Sequence, residues 1–127
     1  MTENEKQLLL KDLCARLPYG VRIRIETITG SYARVEFTLS LETFNRLKMG
    51  IQEDRYSIKP YLRPMSSMTK EEKEKWFDAI HYYDKTGNPC LTHMDSYDWL
   101  NEHHFDYRGL IPMGLALEAP EGMYKTE

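Results

Sequence analysis

Two stretches in the first third of the chain alternate between hydrophobic and polar positions. They are VRIRIE at 21–26 and RVEFTL at 34–39, and Thr29, Gly30 and Ser31 lie between them. A period of two is typical of a strand with one buried face and one solvated face. The pattern therefore predicts a β-hairpin, and further strands or helices must cover its apolar face because an isolated hairpin is only marginally stable.

A helical pattern precedes the hairpin. Residues 4–16 place three leucines on roughly one side of a helix, with lysines and Asp12 elsewhere, which predicts a short amphipathic helix. Cys14 has apolar neighbours in this segment, so we expect it to be a small buried residue. The helix is expected to end near Pro18, which disfavours helical backbone at the residue before it.

Two segments after the hairpin are less regular. Residues 41–50 fit a short helix that ends at Gly50, and they also fit a strand with a bulge. Residues 54–64 alternate over their first half, which predicts a third strand. Pro60 and Pro64 are expected to end its regular pairing because proline lacks a backbone donor.

A capping box marks the start of a longer helix. Thr69 is placed to accept a hydrogen bond from the backbone of Glu72, whose side chain can reach back to Thr69. Early acidic residues and the late Gly87 agree with a helix of about four turns. Its expected core-facing residues are Trp76, Phe77, Ile80 and Tyr83.

The remainder of the chain is predicted to contain one more short helix. Residues 88–94 are expected to form a loop, and residues 95–105 a helix capped by Asp95 or Ser96. The residues expected to pack inward are Trp99, Leu100 and His103. Glycines and prolines interrupt residues 106–127, so this segment should wrap over the body rather than form a long element.

This order of a helix, strands and helices predicts an α+β fold. We expect a small antiparallel β-sheet or SH3-like barrel, with an N-terminal helix and C-terminal helices packed on it. The expected domain is 1–127, with a helix and β-rich part at 1–64 and a helical C-terminal part at 65–127. A chain of this length can bury enough surface to fold without disulfides or metals.

Composition and charge narrow the possible functions. The chain has 127 residues, a formal net charge of −3 and 41% hydrophobic residues, which is ordinary globular usage. A negative net charge makes duplex DNA an unexpected partner, because clustered Lys and Arg must neutralise its phosphates. Neither a signal peptide nor a membrane span is predicted, so we expect a cytoplasmic protein with reduced thiols.

Three stretches of the chain carry long and specific motifs. They are ARLPYGV at 15–21, IKPYLRPMSSMTKEEK at 58–73 and DWLNEHHFDYRGLIPMGLALEAPEGMY at 98–124, about 50 of the 127 positions. Together they resemble a family of uncharacterised small proteins from phages, prophages and mobile elements of Bacteroidales. The resemblance implies an accessory protein in the cytoplasm of a bacterial host. It brings no agreed catalytic or binding residues, so none is transferred.

The histidines raise two chemical alternatives. Cys90 and His93 have a spacing that zinc can use, but no second close Cys or His pair completes a four-ligand structural site. A small metal-dependent hydrolase or nuclease could instead use His103, His104 and Asp106. That site lacks a nucleophile motif, and two adjacent histidines point about 100° apart on a helix. No catalytic residue, metal ligand or cofactor is therefore predicted.

Tyrosines and arginines in and around the predicted strands offer a third possibility. They are Tyr19, Tyr32, Tyr56 and Tyr61 with Arg22, Arg24, Arg55 and Arg63. On one sheet face they could stack bases and contact phosphates, which would make the protein a single-stranded nucleic-acid binding module. Such residues are also expected on an ordinary solvated hairpin face.

The lack of a complete catalytic constellation favours a non-enzymatic function. We expect an accessory binding protein of a phage or mobile element that acts on a host protein or sequesters a small ligand, with counter-defence as one setting. The candidate binding residues are His104, Asp106, Tyr107, Arg108, Tyr19, Tyr61 and Arg63. The hydrolase and nucleic-acid alternatives stay open at this point, as does the oligomeric state.

Overall fold

Helices and a mixed β-sheet make up the protein, which confirms the predicted α+β class. The structure, a computed structural model, describes residues 1–27, 35–83, 89–91 and 93–124, and it describes their side chains except at 27, 78–83, 89–91 and 93–96. The helices are α1 Glu3–Ala15, α2 Leu41–Gln52, α3 Lys70–Ile80 and α4 His93–Glu102. The strands are β1 Arg22–Thr27, β2 Val35–Thr38, β3 Tyr56–Pro64, β4 His81–Tyr83, β5 Pro89–Leu91, β6 Phe105–Asp106 and β7 Leu117–Glu118.

The predicted hairpin is present. β1 and β2 pair antiparallel, with Ile23 opposite Phe37 and Ile25 opposite Val35. The expected turn within 28–34 lies outside the described residues. β3 also pairs antiparallel with β1, so β1 lies between β2 and β3. The segment after the hairpin forms α2, which decides between the two interpretations of that segment in favour of a helix.

Pro60 does not end strand pairing as expected. β3 continues to Pro64, and its pairing with β1 stops at Pro60 because new partners take over there. Tyr61 and Leu62 pair parallel with β7. Arg63 pairs parallel with β6. Pro60, which has no backbone N–H to donate, therefore lies where β3 changes from one partner strand to the next. The sheet is mixed rather than purely antiparallel. The SH3-like barrel stays a prediction.

The larger hydrophobic cluster joins α1, α2, the sheet and the C-terminal segment. Leu9 and Leu13 of α1 are fully buried, as the helical pattern predicts. They share this cluster with Ile51 of α2, Ile23 of β1 and Leu110. The C-terminal segment therefore wraps over the body as expected, and it closes the same core as the N-terminal helix.

Cys14 is exposed, so the expectation that it is buried is wrong. Residues two apart on a helix differ by about 200° in direction, which places Cys14 almost opposite Asp12. The buried side of α1 includes Asp12 and Arg16, both of which are fully buried. The side that packs against the rest of the protein is therefore partly ionic.

A second, smaller cluster lies between α3, α4 and β6. Its buried members are Met68, Leu100 and Phe105, with Met65, Trp76, Trp99 and Tyr107 packed against them. The predicted capping box of α3 is present. Glu72 N donates to Thr69 Oγ1 at 3.1 Å, and Thr69 N donates to Glu72 Oε1 at 3.0 Å.

α3 is shorter than predicted and buries fewer of its residues. It ends at Ile80, and the chain continues as β4, which pairs with β5 where a loop was expected. Phe77 is 58% exposed because it lies about 100° around the helix from Trp76, which takes the core position. The side chains of Ile80 and Tyr83, also expected in the core, lie outside the described side chains.

α4 begins at His93, so Asp95 and Ser96 lie inside the helix and are not its caps. Trp99 and Leu100 do pack inward, as predicted. None of the helices in the described ranges has both the length and the apolar character needed to cross a membrane.

Candidate functional site

The segment 103–108 leaves α4 and passes beside the end of β3. His104 has a left-handed φ of 65°, which turns the chain sharply after the helix. The backbone N–H of Arg63 donates to the carbonyl of His104 at 2.7 Å, which fixes this turn against β3. His104 and Arg108 then line two different clefts.

A buried carboxylate organises one side of this segment. Asp12 of α1 and Arg16, the residue that caps the C-terminal end of α1, lie one helical turn apart, and both are fully buried. Arg16 Nε donates to Asp12 Oδ2 at 2.8 Å, and Arg16 Nη2 donates to Asp12 Oδ1 at 3.1 Å. Arg108 Nε, 96 residues further along the chain, donates to the same Oδ1 at 3.1 Å. We call this arrangement the Asp12–Arg16–Arg108 triad.

The triad holds two positive charges and one negative charge, so one positive charge has no counter-ion within it. Arg16 is fully buried; its Nη2 donates to the carbonyl of Phe105 at 2.7 Å, and its Nη1 has no partner among the described residues. The side chain of Arg108 is 19% exposed. The surplus charge of the triad therefore reaches solvent at Arg108.

Arg108 lines a cleft of about 500 Å³ beside α1 and α4, which we call the Arg108 cleft. Its lining residues are Lys11, Ala15, Tyr97, Asp98, Asn101, Tyr107 and Arg108. Tyr107 Oη donates to Asn101 Oδ1 at 3.0 Å and accepts from Arg108 Nη2 at 3.1 Å. The guanidinium carbons of Arg16 and Arg108 lie 5.4 and 4.9 Å from the centre of the Tyr107 ring. These contacts hold the polar wall of the cleft in one arrangement.

His104 lines a smaller cleft of about 230 Å³, the His104 cleft. Its lining residues are Gly20, Arg22, Arg63, Glu102, His103, His104, Met123 and Tyr124. The ring of His104 stacks on that of Tyr124 with centroids 3.8 Å apart, and its Nδ1 has no partner among the described residues. Burial, followed by the positive charge of Arg16, lowers the pKa of His104 to about 4. His104 is therefore neutral at pH 7.

Asp106 and His103 are engaged with backbone groups. Asp106 is buried, and its two carboxylate oxygens accept the backbone N–H groups of Leu110 and Ile111 at 2.8 and 2.9 Å. His103 Nδ1 lies 2.9 Å from the carbonyl oxygen of Trp99. Because a carbonyl can only accept, this nitrogen carries the proton. These contacts shape the turn after α4 and leave neither side chain beside Arg108.

The remaining predicted binding residues do not line the Arg108 cleft. Tyr61 is 4% exposed, and its hydroxyl donates to Glu36 at 2.6 Å. Arg63 donates two hydrogen bonds of 2.7 Å to Glu72 and lines the His104 cleft. Tyr19 is half-buried, and burial followed by two carboxylates of α4 raises the pKa of its hydroxyl. Only Tyr107 and Arg108 of the predicted set line the Arg108 cleft.

The arginines of the strands and their neighbours have partners. Arg24 pairs with Glu26, and Arg55 pairs with Glu53. Arg22 Nη1 donates to a threonine hydroxyl across the hairpin at 2.9 Å. Tyr32 lies outside the described residues. The two ion pairs reduce the positive charge that these residues would present to a nucleic acid, whereas the contact with threonine leaves the charge of Arg22 in place.

The metal alternative finds no support in the described side chains, where no group of three or more His, Cys, Asp or Glu could hold an ion. The side chains of Cys90 and His93 lie outside those described. No protein-family model, curated protein or solved structure matches the chain.

Several residues of the Arg108 cleft were not among the sequence candidates. The leucine pattern predicts Asp12 on the polar side of α1, and no catalytic or ligand-binding motif marks Lys11, Tyr97 or Asn101. One signal was available: Asp12 and Arg16 have the i,i+4 spacing of a helical ion pair, and each lies three residues after a buried leucine. An ion pair on the buried side of a helix is unusual, because charged side chains are rarely fully buried unless other groups compensate them.

Proposed function

We propose that the protein is a non-enzymatic accessory binding protein of a phage or mobile element, and that it sequesters a small ligand in the Arg108 cleft. The observation that carries the proposal is the surplus positive charge of the Asp12–Arg16–Arg108 triad, which reaches solvent at Arg108. A cation already held in position loses little freedom when a ligand binds, so its attraction for an anion is largely retained.

The chemistry of the cleft supports binding rather than catalysis. Its described lining residues include no serine, cysteine or histidine that could act as a nucleophile or its base. Arg108 is already hydrogen-bonded to Asp12 and Tyr107, which suits a fixed binding contact.

The shape of the cleft supports a small ligand rather than a host protein. A volume of about 500 Å³ is within the usual range of roughly 300–1,000 Å³ for small-molecule sites. A specific protein interface usually buries about 800 Å² on each partner, which is far more surface than this cleft offers. The accessory setting is supported by the resemblance of residues 98–124, which include Tyr107 and Arg108.

A thermal-shift screen of bacterial metabolites against the purified protein tests the proposal. We expect an anionic compound that raises Tm, by roughly 10 °C at one hundred times its Kd, because binding to the folded state adds about 2.7 kcal/mol. Arg108→Gln should abolish the shift while the Asp12 pair with Arg16 stays in place. Arg46→Gln, which changes an exposed arginine on α2, is the matched control and should keep it.

Two results would contradict the proposal. One is a screen in which no compound raises the Tm of the wild type, or in which every such rise persists in Arg108→Gln. The other is chemical conversion of the bound compound, detected by mass spectrometry, because sequestration returns the ligand unchanged.

A further inference from the structure

The Arg108 cleft also contains an aromatic surface. Tyr97 on α4 is 54% exposed, and its ring centroid lies 5.2 Å from that of Tyr107 with the planes tilted by 48°. Two rings this close are already in contact, so a third ring cannot enter between them. A flat ligand would instead stack on the exposed face of Tyr97, since Tyr97 and Tyr107 are the two aromatic residues in the described lining of the cleft.

Two cations lie in the same cleft as this ring. Lys11 projects from α1 and is exposed, and Arg108 carries the surplus charge of the triad. Among the described residues, Nη1 of Arg108 makes no hydrogen bond, while Nε and Nη2 are engaged with Asp12 and Tyr107. A phosphate monoester carries between about −1.5 and −2 charges at pH 7, which these two cations match.

A hydrogen-bond acceptor completes the lining. Asp98 is exposed on α4, one residue after Tyr97, and its carboxylate can accept hydrogen bonds from hydroxyl groups. An acid in an anion-binding cleft is unfavourable for a simple ion such as phosphate, since it repels negative charge. It is favourable for a ligand that has neutral hydroxyls some distance from its anionic group, as a sugar phosphate does.

We propose that the Arg108 cleft binds a nucleoside monophosphate. Its base stacks on Tyr97, its phosphate lies between Lys11 and Arg108, and its ribose hydroxyls donate to Asp98. This inference rests on the proposed function and names the class of ligand that is sequestered. Full affinity requires the base, the phosphate and the ribose hydroxyls together, so a fragment that lacks any of them should bind more weakly.

Isothermal titration calorimetry with AMP, GMP, CMP and UMP tests the inference, with nucleosides, inorganic phosphate and phenyl phosphate as partial ligands. We expect at least one nucleotide to bind at least about tenfold more tightly than each partial ligand, because the nucleoside lacks the phosphate, inorganic phosphate lacks the base, and phenyl phosphate lacks the ribose hydroxyls. Lys11→Gln should weaken nucleotide binding about tenfold, and Tyr97→Ala at least about fivefold.

Matched controls separate these effects from general changes in charge or surface. Lys48→Gln removes an exposed lysine of α2, and Phe77→Ala removes an exposed aromatic side chain of α3. Both should bind the nucleotide as the wild type does. Because Lys11 and Tyr97 are exposed as well, their variants are expected to fold, and circular dichroism checks this directly.

The outcomes distinguish this inference from the proposed function. If no nucleotide binds but another compound gives a thermal shift that Arg108→Gln abolishes, the nucleotide inference is wrong and sequestration stands. If an eight-residue single-stranded oligonucleotide binds and mononucleotides do not, the inference is also wrong. If nucleotide binding is unaffected by both Lys11→Gln and Tyr97→Ala, the site is elsewhere. If no compound of either set binds, both proposals fail.

Discussion

The Arg108 cleft and the His104 cleft are lined by different residues of the one short segment 103–108, and each contains an arginine held by a buried acid. In the His104 cleft, Arg63 and Glu72 form one pair, joined by two hydrogen bonds of 2.7 Å. In the Arg108 cleft, Asp12 is shared by Arg16 and Arg108. The first arrangement is neutral and the second keeps a positive charge.

This difference shows that an arginine in a cleft is not by itself an anion site. Whether its charge is available depends on how many cations share the neighbouring carboxylate. The histidine of the smaller cleft does not restore a charge there, because burial and nearby cations lower the pKa of His104 to about 4. Arg22 also lines the smaller cleft, but the carboxylate of Glu102 lines it as well and offsets that charge. We therefore propose that anions bind in the Arg108 cleft rather than in the His104 cleft.

The largest expected effect comes from removing the shared acid. Asp12→Asn leaves Arg16 and Arg108 without a counter-ion, and breaking a buried ion pair in this way costs about 3–5 kcal/mol. Urea denaturation should show this loss in the free energy of unfolding. The matched control is Asp54→Asn, which breaks a surface ion pair with Lys6 and should cost much less, because water screens an exposed pair. Equal costs for the two variants would show that the triad is not an important buried charge cluster.

The next effect concerns the neutral histidine of the other cleft. Because the folded-state pKa of His104 is about 4 and its ordinary value is 6.5, the unfolded chain binds the extra proton first as pH falls. Stability is therefore complete above pH 6.5 and is lost between pH 6.5 and 4, by up to about 2–3 kcal/mol. Urea denaturation at pH 7.5 and pH 5 measures part of this loss.

The control for this pH effect is His104→Asn, since asparagine tolerates the left-handed φ of 65° and does not titrate. Its free energy of unfolding should change less than that of the wild type between the two pH values. If the two proteins lose the same stability on acidification, the charge state assigned to His104 is wrong.

A smaller effect is expected from the paired acid of the His104 cleft. Glu72→Gln removes the charge that Arg63 contacts but keeps an oxygen for the cap of α3, so the cost at pH 7 should be about 1–2 kcal/mol. The hydrogen bonds from Arg63 lower the pKa of Glu72 from 4.5 to about 2. The wild type should therefore lose this stabilisation as pH falls from 4.5 to 2, and the variant should not. A cost at pH 7 larger than that of Asp12→Asn would reverse the comparison.

The smallest effect tests how the loop after Arg108 is held. Gly109 has a φ of 75°, and a Cβ there would meet no atom within 4 Å, so Gly109→Ala changes backbone strain alone. The cost should be about 1 kcal/mol. Thermal unfolding measures it, and an unchanged Tm would mean that this backbone angle is not required.

Local features of the fold could be predicted from the sequence. The hairpin follows from a strict period of two, α1 from its leucines, and the cap of α3 from Thr69 and Glu72. Each of these signals lies within a few neighbouring residues. The errors at Cys14 and Phe77 are also local. The apolar neighbours of Cys14 favour a buried position, and Phe77 is one of the apolar residues of α3 predicted to face the core, but both side chains are exposed.

The candidate site could be predicted only in part. Tyr107 and Arg108 were identified within a conspicuous motif, but the partner of Arg108 lies 96 residues away on a helix where Asp12 was expected to be solvated. No local pattern links these two positions. The separation of His104 from Arg108 depends on the left-handed turn at His104, which is uncommon for a residue other than glycine and has no clear sequence signal.

The central claim is that the Arg108 cleft attracts anions and the His104 cleft does not. An NMR titration of the ¹⁵N-labelled protein with phenyl phosphate tests it most directly, because each cleft has its own backbone amides. We predict the largest amide shifts at Lys11, Ala15, Tyr97 and Asn101, with small shifts at Gly20, Met123 and Tyr124. Larger shifts around the His104 cleft, or equal shifts in both clefts, would contradict the account.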